Sequence, residues 1–297
     1  MNQTLLLTHT DLDGLGCAVL VAGTISDSTV QLVENGVVDD KVREAVRALR
    51  PEAGAHHLLI TDHGVDATTA ALIDDFIQGG GECQLLDHHR SSARLAGRPW
   101  ATIDESHSAT GLLYEHMGRP ERFAEFVGLV EDHDLWQHRD ERSSRLATLA
   151  WLLGSERFLA RFCADPTVQF RESERLLLDI EEGRQTGYLD KKVRQARVAE
   201  IGGVGWALCY AEQYQSDLAE RLMTDRGVQA TAIINPGKRT VSLRGRNVDV
   251  SRVAERFGGG GHARAAAFCF VGTALEGDLL GFEVAMEGAL RALPSTS

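Results

Sequence analysis

The stretch Leu85-Leu86-Asp87-His88-His89-Arg90 joins a short apolar run to an acid and two imidazoles. The run from Cys83 to Leu86 has polar residues on both sides, which is typical of a buried strand. Two earlier apolar runs end in the same way, and the polar residues that follow them are His9, Asp11, Asp13, Asp62 and His63. In open α/β sheets, ligands bind outside the carboxyl ends of the strands. We therefore expect three strand ends to deliver Asp and His side chains to one place.

The spacing of apolar residues predicts how the rest of the chain is organised. Strands and helices alternate up to residue 89, which predicts an α/β fold with a parallel sheet and helices on both faces. Residues 143–198 are predicted to be almost wholly helical, and a β pattern returns from Gly202, with a last helix over 275–293. We expect a metal-binding catalytic domain with its trailing helices at 1–185, a helical linker at 186–200, and a smaller α/β domain at 201–297.

Composition narrows the classes of function. The chain has 297 residues and a formal net charge of −12, so it lacks the basic footprint of proteins that grip long duplexes by their phosphates. Its apolar runs are far shorter than the ~20 residues of a membrane helix, and the first residues do not form a signal peptide. The five cysteines are scattered, which favours free thiols and a cytoplasmic protein. Small anionic substrates are favoured.

The acids and imidazoles at the strand ends suit a metal centre. Carboxylates with imidazoles and no thiolate favour a hard or borderline divalent cation such as Mn²⁺. Asp11 and Asp13 either bind one or two ions or only form a turn and a helix cap. His88 and His89 point in different directions if the backbone is extended, so that one can ligate a metal and the other contact a substrate, with Asp87 as a candidate hydrogen-bond partner of the ligating ring.

Two further stretches can contribute to a site. In Glu131-Asp132-His133-Asp134, one aspartate could complete the metal centre while the other lies on a solvated helix face. The four glycines Gly258–Gly261 allow backbone N–H groups to approach a phosphate, although a flexible turn is the simpler interpretation. Neighbouring cationic donors add to the phosphate interpretation: His262, Arg264, Arg244 and Arg246.

The order of these motifs resembles the DHH phosphoesterase superfamily. Four N-terminal motifs match at residues 9–14, 61–63, 87–89 and 131–134, and the motif of the DHH-associated C-terminal domain matches at 258–266. Within the superfamily, the chain length and the opening Asp11-Leu12-Asp13-Gly14 look most like the NrnB/NrnA type of oligoribonuclease, or nanoRNase.

The resemblance implies a set of residue roles and two divalent cations, Mn²⁺ with Mg²⁺ or Co²⁺ as substitutes. The implied metal ligands are His9, Asp11, Asp13, Asp62, His88 and Asp132, with Asp62 bridging both ions. The implied catalytic residues are His89, Asp87 and Asp62, with His89 contacting the scissile phosphate. The implied substrate-binding residues are Arg244, Gly259, Gly260, Gly261, His262 and Arg264.

The implied activity is two-metal hydrolysis of short oligoribonucleotides, especially dinucleotides such as pApA and pGpG, to mononucleotides. Two rival activities use the same chemistry: a phosphatase acting on 3′-phosphoadenosine 5′-phosphate, and a cyclic-dinucleotide phosphodiesterase. A non-catalytic nucleotide-binding module is the alternative from another class. We expect short single-stranded RNA as the partner, with no membrane and no long duplex, and a homodimer as the assembly to test.

Overall fold

The computed structural model describes residues 3–49 and 56–270, and the chain divides into two compact units, Met1–Leu178 and Asp179–Ser297. The division falls inside a helix, Glu172–Gln195, rather than at the predicted boundary near residue 185. That helix stops short of the predicted end of the linker, because residues 197–201 pair with the next strand. The helix expected over 275–293 lies outside the described residues.

A five-stranded parallel sheet forms the centre of the first unit, as predicted. Its strands, in chain order, are β1 Gln3–Thr8, β2 Ser28–Leu32, β3 His56–Thr61, β4 Glu82–Asp87 and β5 Ala101–Ile103. They lie side by side in the order β2-β1-β3-β4-β5, and every neighbouring pair is parallel. All carboxyl ends therefore lie at one edge of the sheet.

Helices cover both faces of this sheet. In chain order they are α1 Leu12–Thr24, α2 Val38–Ala48, α3 Ala67–Gln78, α4 Ala109–His116, α5 Ala124–Asp134 and α6 Glu141–Ala164. The next helix, α7 Glu172–Gln195, contributes Leu178 to the core of this unit and Leu189 to a core of the second. Side chains alternate along each strand, so Leu6 and Leu59 pack with α1 and α4–α6, whereas Leu7 and Leu58 pack with α2 and α3. The helical stretch is less continuous than expected, because Gly154 has a φ of 69° and kinks α6, and residues 165–171 separate α6 from α7.

The second unit is built on a mixed sheet. In chain order its further elements are β6 Arg197–Ile201, β7 Val204–Tyr210, α8 Gln215–Arg226, β8 Ala230–Asn235, β9 Thr240–Gly245, α9 Ser251–Arg256, β10 Gly260–His262 and β11 Ala265–Cys269. The strand order is β10-β11-β9-β8-β7-β6, and only β7 and β8 are parallel. The expectation of a smaller α/β domain after the helices is confirmed.

Two expectations concern the chain as a whole: that it has no membrane helix and that its cysteines are free thiols. Within residues 3–49 and 56–270, no helix has the length and apolar character needed to cross a membrane. All five cysteines lie in the described ranges, and none forms a disulfide.

Candidate active site

Three neighbouring strand ends meet at one edge of the parallel sheet. His9 directly follows β1, Asp62 follows β3, and His88 follows β4. Because β3 lies between β1 and β4, these side chains leave the sheet next to one another. Asp134, the last residue of α5, joins them from the helical layer. The residues that the sequence placed at three strand ends thus lie close together in the structure.

One group of donor atoms comes from His9, Asp11 and Asp62. Their nearest ligand atoms lie within 4.8 Å of one another. His9 Nδ1 is 2.8 Å from Asp11 Oδ2 and 3.7 Å from Asp62 Oδ2. Burial opposes ionisation of Asp11, but hydrogen bonds from His9 and from the backbone N–H of Gly14 outweigh it and lower the pKa of Asp11 to about 2. Asp11 is therefore an anion that serves both as the N-cap of α1 and as a ligand candidate.

A second group comes from Asp13, His88 and Asp134, also within 4.8 Å of one another. His88 Nε2 is 3.8 Å from Asp13 Oδ2 and 3.5 Å from Asp134 Oδ2. Asp13 is buried and is fixed by the backbone N–H groups of Ala109 and Thr110 at the start of α4, which donate to it over 2.7 and 2.9 Å. Burial, with the negative charge of Asp13, raises the pKa of Asp134 to about 8.

Asp62 links the two groups. Its Oδ1 lies 3.4 Å from His88 Nε2, while its Oδ2 faces His9. Only 3% of Asp62 is exposed, and its φ of 58° is a left-handed conformation, which is uncommon outside glycine but less so for Asp. Burial and the negative charges of Asp13 and Asp11 raise the pKa of Asp62 well above its usual value.

These donor atoms fit divalent cations. Among the described residues, three buried atoms of this cluster have no hydrogen-bond partner: Asp62 Oδ2, His88 Nε2 and Asp134 Oδ2. A buried polar atom without a partner is costly, and a ligated cation removes that cost. Carboxylate oxygens and imidazole nitrogens without thiolate suit Mn²⁺, Co²⁺ or Mg²⁺. Metal binding would also offset the repulsion among four carboxylates.

Asp132 is not brought into this cluster, and Asp134 occupies the place predicted for it. The carboxylate of Asp132 instead accepts a hydrogen bond from the backbone N–H of Arg139 over 2.9 Å and a longer one, 3.4 Å, from that of Asp140. Asp132 and Asp134 are two residues apart on α5 and therefore lie on different sides of the helix. The structure thus brings Asp134, which the sequence left as the alternative, into the cluster in place of Asp132, and the metal-ligand role of either residue stays a prediction.

Asp87 positions His89 rather than the ring of His88. It is fully buried, and His89 Nδ1 lies 2.8 Å from its Oδ1, while the hydroxyl of Ser92 donates to Oδ2. The hydrogen bond to Asp87 raises the pKa of His89. With Nδ1 engaged, Nε2 is the ring nitrogen of His89 left for another partner. The sequence suggested a carboxylate partner for a histidine, but nothing in it pointed to Ser92.

In the second unit, Arg244 and His262, two of the predicted phosphate-binding residues, lie on strands on either side of β11. Ala265 on β11 is paired with Arg244 on β9 and with His262 on β10. Arg244 is half-buried and donates to Ser216 Oγ over 3.1 Å, and among the described residues no carboxylate forms an ion pair with it. Its positive charge is therefore available to an anion.

The glycine run is packed rather than free. A Cβ at Gly259 would lie 2.2 Å from the carbonyl oxygen of Ala267, and one at Gly261 would lie 2.5 Å from that of Ala265. Gly260 and Gly261 are paired with β11. The close approach of the backbone around β11 thus accounts for Gly259 and Gly261. The substrate-binding role of Gly259, Gly260, Gly261 and Arg264 stays a prediction.

Comparisons with known proteins identify the family. Residues 213–276 match the DHHA1 domain. Over 285 residues the chain is 30% identical to oligoribonuclease NrnB of Bacillus subtilis, covering 88% of this chain and 71% of NrnB.

Solved structures share the fold at low sequence identity. The pGpG-specific phosphodiesterase PggH of Vibrio cholerae superposes with a TM-score of 0.61 at 15% identity, over 98% of this chain and 99% of PggH. RecJ of Thermus thermophilus, solved with Mg²⁺, superposes with a TM-score of 0.51 at 15% identity, over 98% of this chain and 50% of RecJ. The resemblance found in the motifs is confirmed: the chain belongs to the DHH phosphoesterase family, with a DHHA1 domain, and is a homologue of NrnB.

Proposed function

We propose that this protein hydrolyses short oligoribonucleotides to mononucleotides and acts best on dinucleotides such as pApA and pGpG. The observation that carries the proposal is two adjacent donor groups, His9 with Asp11 and Asp62, and Asp13 with His88 and Asp134, joined by the 3.4 Å approach of Asp62 Oδ1 to His88 Nε2. Among the described residues, buried atoms of Asp62, His88 and Asp134 in these groups have no hydrogen-bond partner. The similarity to NrnB, an oligoribonuclease, and to PggH, a pGpG-specific phosphodiesterase, supports the same substrate class.

Two divalent cations would be held by this cluster, one by His9, Asp11 and Asp62, and the other by Asp13, Asp62, His88 and Asp134. When bound, such a pair supplies Lewis-acid stabilisation of phosphate oxygens and a nucleophile at neutral pH. Each group contains an imidazole nitrogen, whereas Mg²⁺ prefers oxygen ligands and bound water. We therefore propose Mn²⁺ as the preferred ion, with Co²⁺ or Mg²⁺ as substitutes.

His89 is proposed to act on the scissile phosphate. Asp87 lies against its Nδ1, and Nε2 is on the other side of the imidazole ring, where in the protonated form it can donate to a phosphate oxygen. The raised pKa of His89, caused mainly by that hydrogen bond, keeps more of the ring protonated near neutral pH. A fixed donor aimed at developing negative charge is the kind of group that stabilises a phosphoryl transition state.

The second unit is proposed to hold phosphate or sugar groups of the substrate. The guanidinium of Arg244 forms no ion pair with a carboxylate of the described residues, and His262 and Arg244 are both aligned with Ala265 of the strand between them. The net charge of −12 disfavours long polyanions, because they interact with the whole protein surface, whereas a dinucleotide interacts with the site alone. The proposed partner is therefore short single-stranded RNA.

The test is hydrolysis of labelled RNAs of two, five and twenty-four nucleotides by protein stripped with a chelator and reloaded with Mn²⁺. Release of mononucleotides that is fastest for the dimer is the expected result. Preference for the longest RNA would contradict the proposal and indicate a processive exonuclease. Assays with 3′-phosphoadenosine 5′-phosphate and a cyclic dinucleotide alongside would show whether either rival substrate is turned over faster.

A further inference from the structure

The loop that follows α5 exposes a large aromatic side chain beside the candidate metal centre. Trp136 is 60% exposed, only two residues after Asp134. Two of the other tryptophans, Trp100 and Trp206, are buried in the cores. Indole rings usually bury most of their large apolar surface, so a ring left exposed next to a polar site is a candidate for ligand contact.

The loop holds Trp136 in an uncommon backbone conformation. Trp136 has a φ of 54° and His138 a φ of 49°, both left-handed. Such residues persist only where the surroundings hold them, and they cluster at functional sites. Asp132 supplies that support, because its carbonyl oxygen accepts from the N–H groups of Gln137 over 2.9 Å and His138 over 3.4 Å. Its carboxylate accepts from Arg139 over 2.9 Å.

The indole is also oriented by a neighbouring ring. The Trp136 and His138 rings lie 4.3 Å apart between centroids and at 82° to each other. His138 is itself fixed, since its Nδ1 lies 3.1 Å from Ser144 Oγ. The ring of Trp136 is thus supported by the protein while most of its surface remains open to solvent, as expected of a preorganised contact surface.

We propose that Trp136 is a stacking platform for a nucleobase of the bound substrate. The Cα atoms of Asp134 and Trp136 are at most ~7 Å apart, because two residues of chain span no more. A phosphate at the metal centre and a base on Trp136 can therefore belong to one dinucleotide. Every base has a face that stacks on an indole, so this contact confers affinity with little base preference. The inference rests on the proposed function and adds the element that recognises the base.

The experiment compares two substitutions that keep the loop. Trp136→Asn removes the ring but supplies a residue that tolerates left-handed backbone, whereas Trp136→Phe retains an aromatic face. Trp151→Ala is the matched control, because Trp151 is also exposed, at 65%, but lies on α6. KM and kcat are measured with pApA and with two analogues that each lack one base, and Mn²⁺ affinity is measured for every protein.

In Trp136→Asn we expect KM for pApA to rise roughly tenfold, with Mn²⁺ affinity unchanged. Trp136→Phe should recover most of that loss, and Trp151→Ala should match the wild type. One of the two base-lacking analogues should be bound equally by the wild type and the Asn variant, which identifies the stacked base.

Unchanged KM in Trp136→Asn would overturn the stacking role, as would an equal loss with all three substrates. Quenching of tryptophan fluorescence by adenosine monophosphate gives a readout that needs no turnover, and it should be weaker in Trp136→Phe than in Trp151→Ala. Absence of hydrolysis by the wild type would refute the proposed function and this inference with it, whereas hydrolysis that is equally efficient in Trp136→Asn refutes this inference alone.

Discussion

Substituting Asp62 by asparagine should have opposite effects on the metal-free and the metal-loaded protein. The change keeps the shape of the side chain and removes its charge. It also keeps the backbone, because Asp62 has a left-handed φ of 58° and asparagine is among the residues best able to adopt it. Only 3% of Asp62 is exposed, so the substitution acts on the buried cluster and not on the surface.

The magnitudes follow from the geometry of the cluster. The donor atoms of His9, Asp11 and Asp62 lie within 4.8 Å of one another. At 4.8 Å, the upper limit of the separations in the group, and an effective dielectric constant of 20, two carboxylates repel by about 3.5 kcal/mol, which sets the scale of what the variant can gain without metal. With Mn²⁺ at a hundred times its Kd, the wild type gains about 2.7 kcal/mol, or roughly 5–11 °C in Tm for a unit of this size.

Calorimetry of both proteins at pH 8, in chelator and with saturating Mn²⁺, measures the effect. We expect the variant to melt at or above the wild type in chelator, to gain little from Mn²⁺, and to lose hydrolysis. Asp40→Asn is the control, because Asp40 is 73% exposed and should change stability by less than about 0.5 kcal/mol. A variant that keeps the full Mn²⁺ shift, or that melts far below the wild type in chelator, would refute the bridging role of Asp62.

Three further predictions separate the roles of other residues. Asp134→Ala should weaken Mn²⁺ binding by tenfold or more, whereas Asp132→Asn should leave Mn²⁺ binding intact and raise KM, because Asp132 holds the loop that follows α5. Isothermal titration with Mn²⁺ measures both variants, and the reverse pattern would restore Asp132 as the ligand. His89→Ala should lower kcat about 10²- to 10³-fold with Mn²⁺ affinity unchanged, and a mere rise in KM would contradict its action on the transition state. Arg244→Ala should raise KM about tenfold, whereas Arg246→Ala, which loses an exposed pair with Glu220 and a hydrogen bond to Thr224, should not. Steady-state kinetics on pApA compare the two variants, and equal effects would count against a specific anion contact.

The parallel sheet and the meeting of its strand ends could be predicted because both depend on local patterns. Apolar runs that stop at Asp or His mark buried strands, and parallel strands place their carboxyl ends at one edge. The choice between Asp132 and Asp134 could not be made in this way. Both lie at the end of α5, and which of them faces the sheet depends on how that helix packs against α1 and α6.

The contacts of Asp87 and the exposure of Trp136 also could not be predicted from the sequence. Asp87 is the last residue of an apolar strand, and Asp62 directly follows another. The oxygens of Asp87 accept hydrogen bonds from His89 and Ser92, although one ligand atom of Asp87 also lies within 4.8 Å of those of Asp62 and His88. Exposure of Trp136 depends on the turn that Asp132 holds, and an apolar residue near a helix end is more simply interpreted as core. The sequence predicted that Asp and His side chains would lie together at one edge of the sheet. Which of them can ligate a metal and which hold another side chain in place depends on how the helices pack.

The strand order β2-β1-β3-β4-β5 has a consequence for how such a site can change. The helix after β1, α1, packs on one face of the sheet, and the helix after β3, α3, packs on the opposite face. Because β1 and β3 are neighbours, the connections that follow them diverge at this point of the sheet. At such a topological switch point, the diverging connections leave a crevice at the edge of the sheet, and no particular side chain is needed to form it. His9 and Asp62 flank that crevice. His9, Asp62 and His88 directly follow strands of the sheet, whereas Trp136 lies in the loop that follows a helix. This loop can therefore vary in length and chemistry while the three candidate ligands keep their places.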